Sequence, residues 1–462
     1  MEKKKMLIKC ASLLLIASMS VLCSFSNNNV KAATTTGSTI IPTNPPGGNP
    51  PGGGGGAVVT GTGAYTQSGG SVTKYDQSIN SSNSNKSVVK VSKSGVFKLY
   101  NSTLIKTGGD TTSEDSSNFY GLNAGVLAED GSQLTLDNDN ISTSADGANA
   151  VFSTGVNSVI NFTNSTISTT ENSSRGLDAT QGGTINAQNI KVTTKGAHCA
   201  AFATDRGGGN VNVKNAVAST SGEGSPAVYS TGAISVSDSS LNSTGSEAAV
   251  IEGKNSITLT NTSISGAVNR GIMLYQSTSG DSEVGTSVFN MTNGSLTAAV
   301  GPLFYCTNTD TIINLKSAKL SQSSGILLDA EAGRWGTSGS NGSTVAFNAD
   351  SETLKGIIIA DSISSATIKL TNNTDFIGAI NTSNKLTNVA VNLDKTSTWN
   401  VTRTSYIGAL TDEDSTLANI NDNGNTIYYN SSLTSNNWLQ SKTYTLVNGG
   451  KLTPITSVIS TK

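Results

Sequence analysis

Leu134-Thr135-Leu136-Asp137-Asn138-Asp139-Asn140-Ile141 is the stretch whose spacing decides the fold. One aliphatic residue is followed by another two positions on, Asn stands at four, and an aliphatic returns at seven. Residues two apart share one face of a strand, so the first pair points inward. Asn at the fourth position tolerates the left-handed conformation that a sharp corner needs. The aliphatic at seven then starts a second strand at an angle to the first. A chain that turns this way at fixed intervals makes a coil.

The motif returns along the chain. Ile160, Phe162, Asn164 and Ile167 repeat it, as do Ile257, Leu259, Asn261 and Ile264. Weaker copies begin at Ile185, Val211, Ile234, Phe289, Ile313, Val345, Ile368 and Val391. Their starts fall roughly 23 to 32 residues apart, within the range of solenoid repeats. Stacked coils would place Asn138, Asn164, Asn189 and Asn261 in register, with amides bonding along the stack. The pattern predicts an all-β, right-handed parallel β-helix with three-sided coils over residues 64–394.

Each coil also carries an apolar run after a Gly- or Ser-rich turn. Aligned end to end, these runs place Val151, Leu177, Val228, Val250, Ile272, Leu303 and Ile326 in one column, the expected core. The next column holds Phe152, Phe202, Tyr229, Met273 and Phe304, with Ile251 and Leu327. If the first faces inward the second faces out, and it becomes an aromatic ladder able to stack on sugars or dock a protein. These five are the candidate ligand-binding residues.

Composition agrees with a solenoid. Of 462 residues, 13% are charged and 5% aromatic, with a net charge of −2. Thr, Asn and Gly disfavour helices, and no basic stripe points to nucleic acid. Residues 1–32 carry Lys3, Lys4, Lys5 and Lys9, an apolar run from Cys10 to Cys23, and Val30-Lys31-Ala32, the three parts of a secretory signal. The apolar run is short for a membrane anchor. Cys23 offers lipid attachment as an alternative, against which stands the bulky Leu22. Residues 33–63 form a Thr/Pro/Gly linker expected to be a tether. With no membrane span after cleavage and no sorting signal near Lys462, the expected destination is extracellular, released or held non-covalently at the cell surface. Tyr65 to about Val96 suggests an N-terminal cap or a first irregular coil. Residues 395–462 gain Trp399, Tyr406, Tyr428, Tyr429, Trp438 and Tyr444, and suggest a C-terminal cap. Cys199 and Cys306 fall about four coils apart, too far for a disulfide.

Leu134 to Asn138 and its copies resemble the secreted parallel β-helix proteins of Gram-positive bacteria, a group that includes pectate-lyase-like enzymes and adhesins. Ser397-Thr398-Trp399-Asn400-Val401 resembles the closing segment of autotransporter passenger domains. The resemblance covers most of the chain and implies fold more than activity. Hydrolases of this kind carry clustered Asp with Gly-His-Gly and Arg-x-Lys, whereas the single His198 stands in Gly196-Ala197-His198-Cys199. Lyases carry Ca²⁺-binding acidic clusters with a basic residue. Arg175, Asp178, Asp205, Arg206 and Glu252 come nearest to that, and surface charge is the simpler reading of them. The expected function is non-catalytic, adhesin-like binding of extracellular polysaccharide or surface protein, without a cofactor. A lyase or hydrolase of uronate polymers is the alternative, with Ca²⁺ as its possible cofactor. The sequence leaves the oligomeric state open.

Overall fold

The computed structural model describes residues 58–383 and 388–455. Strand makes up 52% and helix 3%, arranged as a parallel β-solenoid of about 16 turns. One side is a 15-stranded sheet running from Thr62–Ser68 to Ile420–Asn421, and a 22-stranded sheet carries the other two sides. A typical coil runs Gln133–Asp137, Asn140–Ser144 and Val151–Thr154, one strand per side. Each strand pairs in parallel with its counterparts in the coils before and after.

The repeat motif occupies the first two of these strands. Phe97, Leu134, Ile160, Ile185, Val211, Ile234 and Ile257 stand directly over one another and are buried. The corner residues adopt positive φ, including Asn138 at 59°, Asn164 at 51°, Asn189 at 55° and Asn261 at 49°. Their amides bond along the stack. Asn189 Nδ2 donates to Asn164 Oδ1 at 2.9 Å, and Asn215 Nδ2 to Asn189 Oδ1 at 2.7 Å. Asn164 departs from this pattern and donates instead to Asp137 Oδ1 at 2.7 Å. In the weaker copy near Val345 it is Phe347 that stands over Ile313, two residues later than the expected start.

The ends differ from expectation. The first coil is regular, with Thr62–Ser68, Ser71–Tyr75 and Ser78–Ser81 each paired to the next coil. At the other end, coils continue past Lys395. Thr398–Val401 pairs with Asp375–Ile380 in the same register, and Trp399 is fully buried against Phe376 at 5.8 Å. Among the described residues, antiparallel pairing enters only where Tyr444–Thr445 meets Lys451–Pro454. There Tyr429 donates its hydroxyl to Lys442 O and Trp438 its indole N–H to Leu410 O, at 2.8 and 2.9 Å. The expected signal segment and nearly all of the expected linker lie outside the described residues.

The chain also holds a short helix that strand periodicity does not reveal, Glu114–Tyr120. Ser113 caps it by accepting from Ser116 N, Glu114 and Asp115 fill its first turn, and Gly121 ends it at φ 69°. Capping signals at both ends were readable in the sequence.

Phe202 lies within the coil, so Phe202→Ala is expected to cost about 3–5 kcal/mol. The outward, exposed Val217 changed to Thr is expected to stay within about 0.5 kcal/mol. Urea unfolding followed by circular dichroism measures both.

Candidate functional site

The expected aromatic ladder does not exist as an exposed face. Val151 pairs with Leu177, Leu177 with Phe202, Phe202 with Val228, Val228 with Ala249, Ala249 with Ile272, and Ile272 with Phe304. Phe202 and Phe304 therefore point inward, in the core column. Phe152, Tyr229 and Met273 do point outward, in register with Asp178, Ala203, Val250 and Tyr305. All five are nonetheless buried. The expected alignment slips by one residue at Ala200, Ala249 and Pro302, and a one-residue slip exchanges the two faces of a strand. Val250, placed in the expected core, is thereby an outward residue.

Covering segments bury the outward column. The helix lies beside Phe152, since a Cβ on Gly121 would stand 2.6 Å from the Phe152 ring. Tyr229, Val250, Met273 and Tyr275 form a second apolar layer, with Tyr305 and Trp335 packed against it. Arg206 joins two covers. Its guanidinium lies 3.8 Å from the Phe119 ring centroid, and its Nε and Nη2 donate to Asp281 Oδ1 at 2.9 and 2.5 Å.

Beneath these covers lie the charged residues that the sequence suggested as surface charge. Arg175, Asp178, Asp205 and Glu252 are all buried. Arg175 Nη2 meets Asp205 Oδ2 at 3.0 Å, Nε lies 3.7 Å from Asp178 Oδ2, and Nη1 donates to Asn118 Oδ1 at 2.7 Å. Glu252 Oε2 accepts from the Tyr229 and Tyr275 hydroxyls at 2.7 and 2.8 Å, and Oε1 accepts from Ser277. Burial raises Asp178 well above the usual carboxylate range and Asp205 to about 6, with Arg175 opposing both shifts. This cluster holds covers down. Its carboxylates are sealed from a polymer.

His198 is half-buried in a turn at φ 57°, with its backbone N–H bonded to Glu223 O. Among the described residues, no three His, Cys, Asp or Glu come together so as to hold a metal ion. Cys199 and Cys306 are free and buried. Cys199 replaces Ser in an internal ladder: its Sγ accepts from Ser174 N, its own N–H donates to Ser225 Oγ, and Ser174 Oγ accepts from Ala148 N. Burial pushes its thiol up to about 12.

An accessible surface with regular chemistry is found on a different side. The outward positions of the first strands in the 22-stranded sheet form a central column that includes Asn161, Asn186, Asn212, Ser235 and Thr258. The column continues through Asn290, Asn314 and Asn348. Asn186 Nδ2 donates to Asn161 Oδ1 at 3.1 Å, Asn212 Nδ2 to Asn186 Oδ1 at 3.0 Å, and Ser235 Oγ to Asn212 Oδ1 at 2.8 Å. Asn314 and Asn348 extend the ladder, donating to Asn290 and Asn314 at 2.8 and 2.9 Å. A shallow groove of about 410 Å³ runs between this column and the next, which holds Thr163, Gln188, Lys214, Ser237 and Thr260. Followed toward the first coil, the second column passes Asp137 and ends in Tyr100 and Tyr75. Those rings stack at 5.1 Å, with Tyr75 57% exposed. The ladder was legible as polar residues two apart in each repeat.

A larger cleft of about 600 Å³ opens near the first coils, around Lys90 and Glu129. Its Lys90 and Glu129 are already paired, with Lys90 Nζ 2.9 Å from Glu129 Oε1 and donating to Gly61 O, and the exposed Asp130 also lines it. Among the described residues no helix is long and apolar enough to cross a membrane. No protein-family model, curated protein or solved structure matches the chain.

Burial raises several carboxyls, with Asp139 and Asp205 at about 6 and Asp329 and Glu352 at about 7. A group raised in the folded state binds its proton more tightly there than when unfolded. Its contribution is complete below the ordinary carboxylate range and is lost as pH rises through 6 to 7. Melting temperature is therefore expected to fall between about pH 4.5 and pH 8. Asp205→Asn should flatten that slope in a thermal scan across pH. Cys199→Ser keeps the ladder's donor and acceptor and is expected to stay within about 1 kcal/mol by urea unfolding, whereas Cys199→Leu overpacks the site and should lose about 1–3 kcal/mol.

Proposed function

We propose that this is an exported, non-catalytic, adhesin-like protein that binds extracellular carbohydrate on the polar face of its 22-stranded sheet. The observation that carries the reading is the amide and hydroxyl ladder. Asn186, Asn212, Asn290 and Asn314 each use one N–H and one oxygen lone pair along the stack and keep another of each. Repeated coil after coil, those spare groups suit the many hydroxyls of a polysaccharide. A protein partner would more usually require a buried apolar and aromatic core at the contact. The basic, apolar and small-residue blocks of residues 1–32 support export, and the Thr/Pro/Gly linker supports display away from a surface.

The uronate lyase reading rested on Asp178, Asp205, Arg175, Arg206 and Glu252. Arg175, Asp178, Asp205 and Glu252 are buried under the covers and Arg206 is paired with Asp281, so none of them stands open to a polymer.

Retention of the full chain on a panel of insoluble polysaccharides tests the proposal. Ser235→Trp places a bulky ring in the groove and is expected to lower retention about tenfold with an unchanged melting temperature. Equal retention by both proteins would exclude this face. Release of new reducing or unsaturated ends from any member of the panel would exclude the non-catalytic reading.

A further inference from the structure

We propose that the ligand of the amide face is an uncharged, fully extended β-linked glycan, lying along the solenoid axis with one sugar over each coil. The inference rests on the carbohydrate reading above and adds the ligand's class, direction and register.

Spacing gives the first argument. Parallel strands repeat every ~4.8 Å along the stack, and one sugar of a flat, extended β-1,4-linked chain advances by nearly the same distance. A bound chain of that kind sets one sugar, turned over relative to the one before, against one pair of outward polar side chains in each coil, such as Asn186 with Gln188 or Ser235 with Ser237. Helical α-linked chains curve away after a few residues. Unmatched repeats gain nothing from a ladder.

Charge gives the second argument. The central column is uncharged from Thr135 to Asn348, and the next outward positions at its two ends are Lys98 and Lys369. The facing column carries charges of both signs, Asp137, Lys214, Lys316 and Asp350, spaced apart or paired as Lys316 with Asp350, so neither a polyanion nor a polycation finds an unbroken line of opposite charge. Neutral hydroxyl and acetamido groups match the spare amide donors and acceptors. Groove direction gives the third. The concavity is bounded by two columns that both run along the axis, so a long ligand lies lengthwise. Beyond the groove, its second column continues through Asp137 to the stacked rings of Tyr100 and Tyr75, a platform for the apolar face of a sugar.

The experiment is calorimetry of the full chain with cello- and chito-oligosaccharides of increasing length, beside malto-oligosaccharides and oligogalacturonates. Affinity is expected to rise steadily with each added β-1,4-linked sugar, and the α-linked and charged series should bind at least about tenfold more weakly. Tyr75→Ala with Tyr100→Ala should weaken the longest oligomers and leave short ones unchanged. Affinity that stops rising after two or three sugars, or a preference for the α-linked or uronate series, would overturn the axial register. If that binding is still abolished by Ser235→Trp, the carbohydrate face stands and only the ligand class fails. Absence of binding to any glycan, soluble or insoluble, would bring down both.

Discussion

At one corner of every regular coil the backbone passes through positive φ, and the geometry of each side follows from that turn. The corner ends one strand and aims the next, so it sets how large the triangle is and which residues face its interior. Asn fills most of these corners because its short amide tolerates the conformation and also bonds to the corner above. Once the corners coincide, the strands between them have no freedom to slip. Like residues then stack on like.

That stacking explains how two chemically different surfaces arise from one repeat. Inward positions collect aliphatics into a continuous dry core. Outward positions on the 22-stranded sheet collect Asn, Ser and Thr, whose side chains bond to one another as well as to solvent. On the 15-stranded sheet the outward residues are larger and more apolar, and the chain covers them with a capped helix and long turns. Arg206 and Glu252 fasten those covers, by ion pairing to Asp281 and by accepting hydroxyl donors. The aromatic side is thus closed, and the amide-bearing side is open.

Buried carboxyls and the internal Ser/Cys ladder belong to the same arrangement. Stacked turns bring backbone N–H groups into lines that need acceptors. Asp139, Ser174, Cys199 and Ser225 supply them from the coil above or below. A carboxyl recruited this way sits out of water and holds its proton more tightly, which links the fold to pH.

Sequence alone determined the solenoid, because a period of two interrupted by Asn and resumed at seven is a local pattern repeated many times. Leu134, Asn138 and Ile141 carry it without reference to any distant residue. It also fixed the inward pairs of the repeat, since each is tied to its own corner. Only the tertiary structure decided the face of Phe152, Phe202, Tyr229, Met273 and Phe304. Their strands have apolar residues on both sides and no corner Asn beside them, so alternation gives no phase and a shift of one residue is invisible. Burial of Asp178 and Glu252 was equally out of reach of the pattern, because the segments that cover them come from other coils, where sequence spacing no longer measures distance.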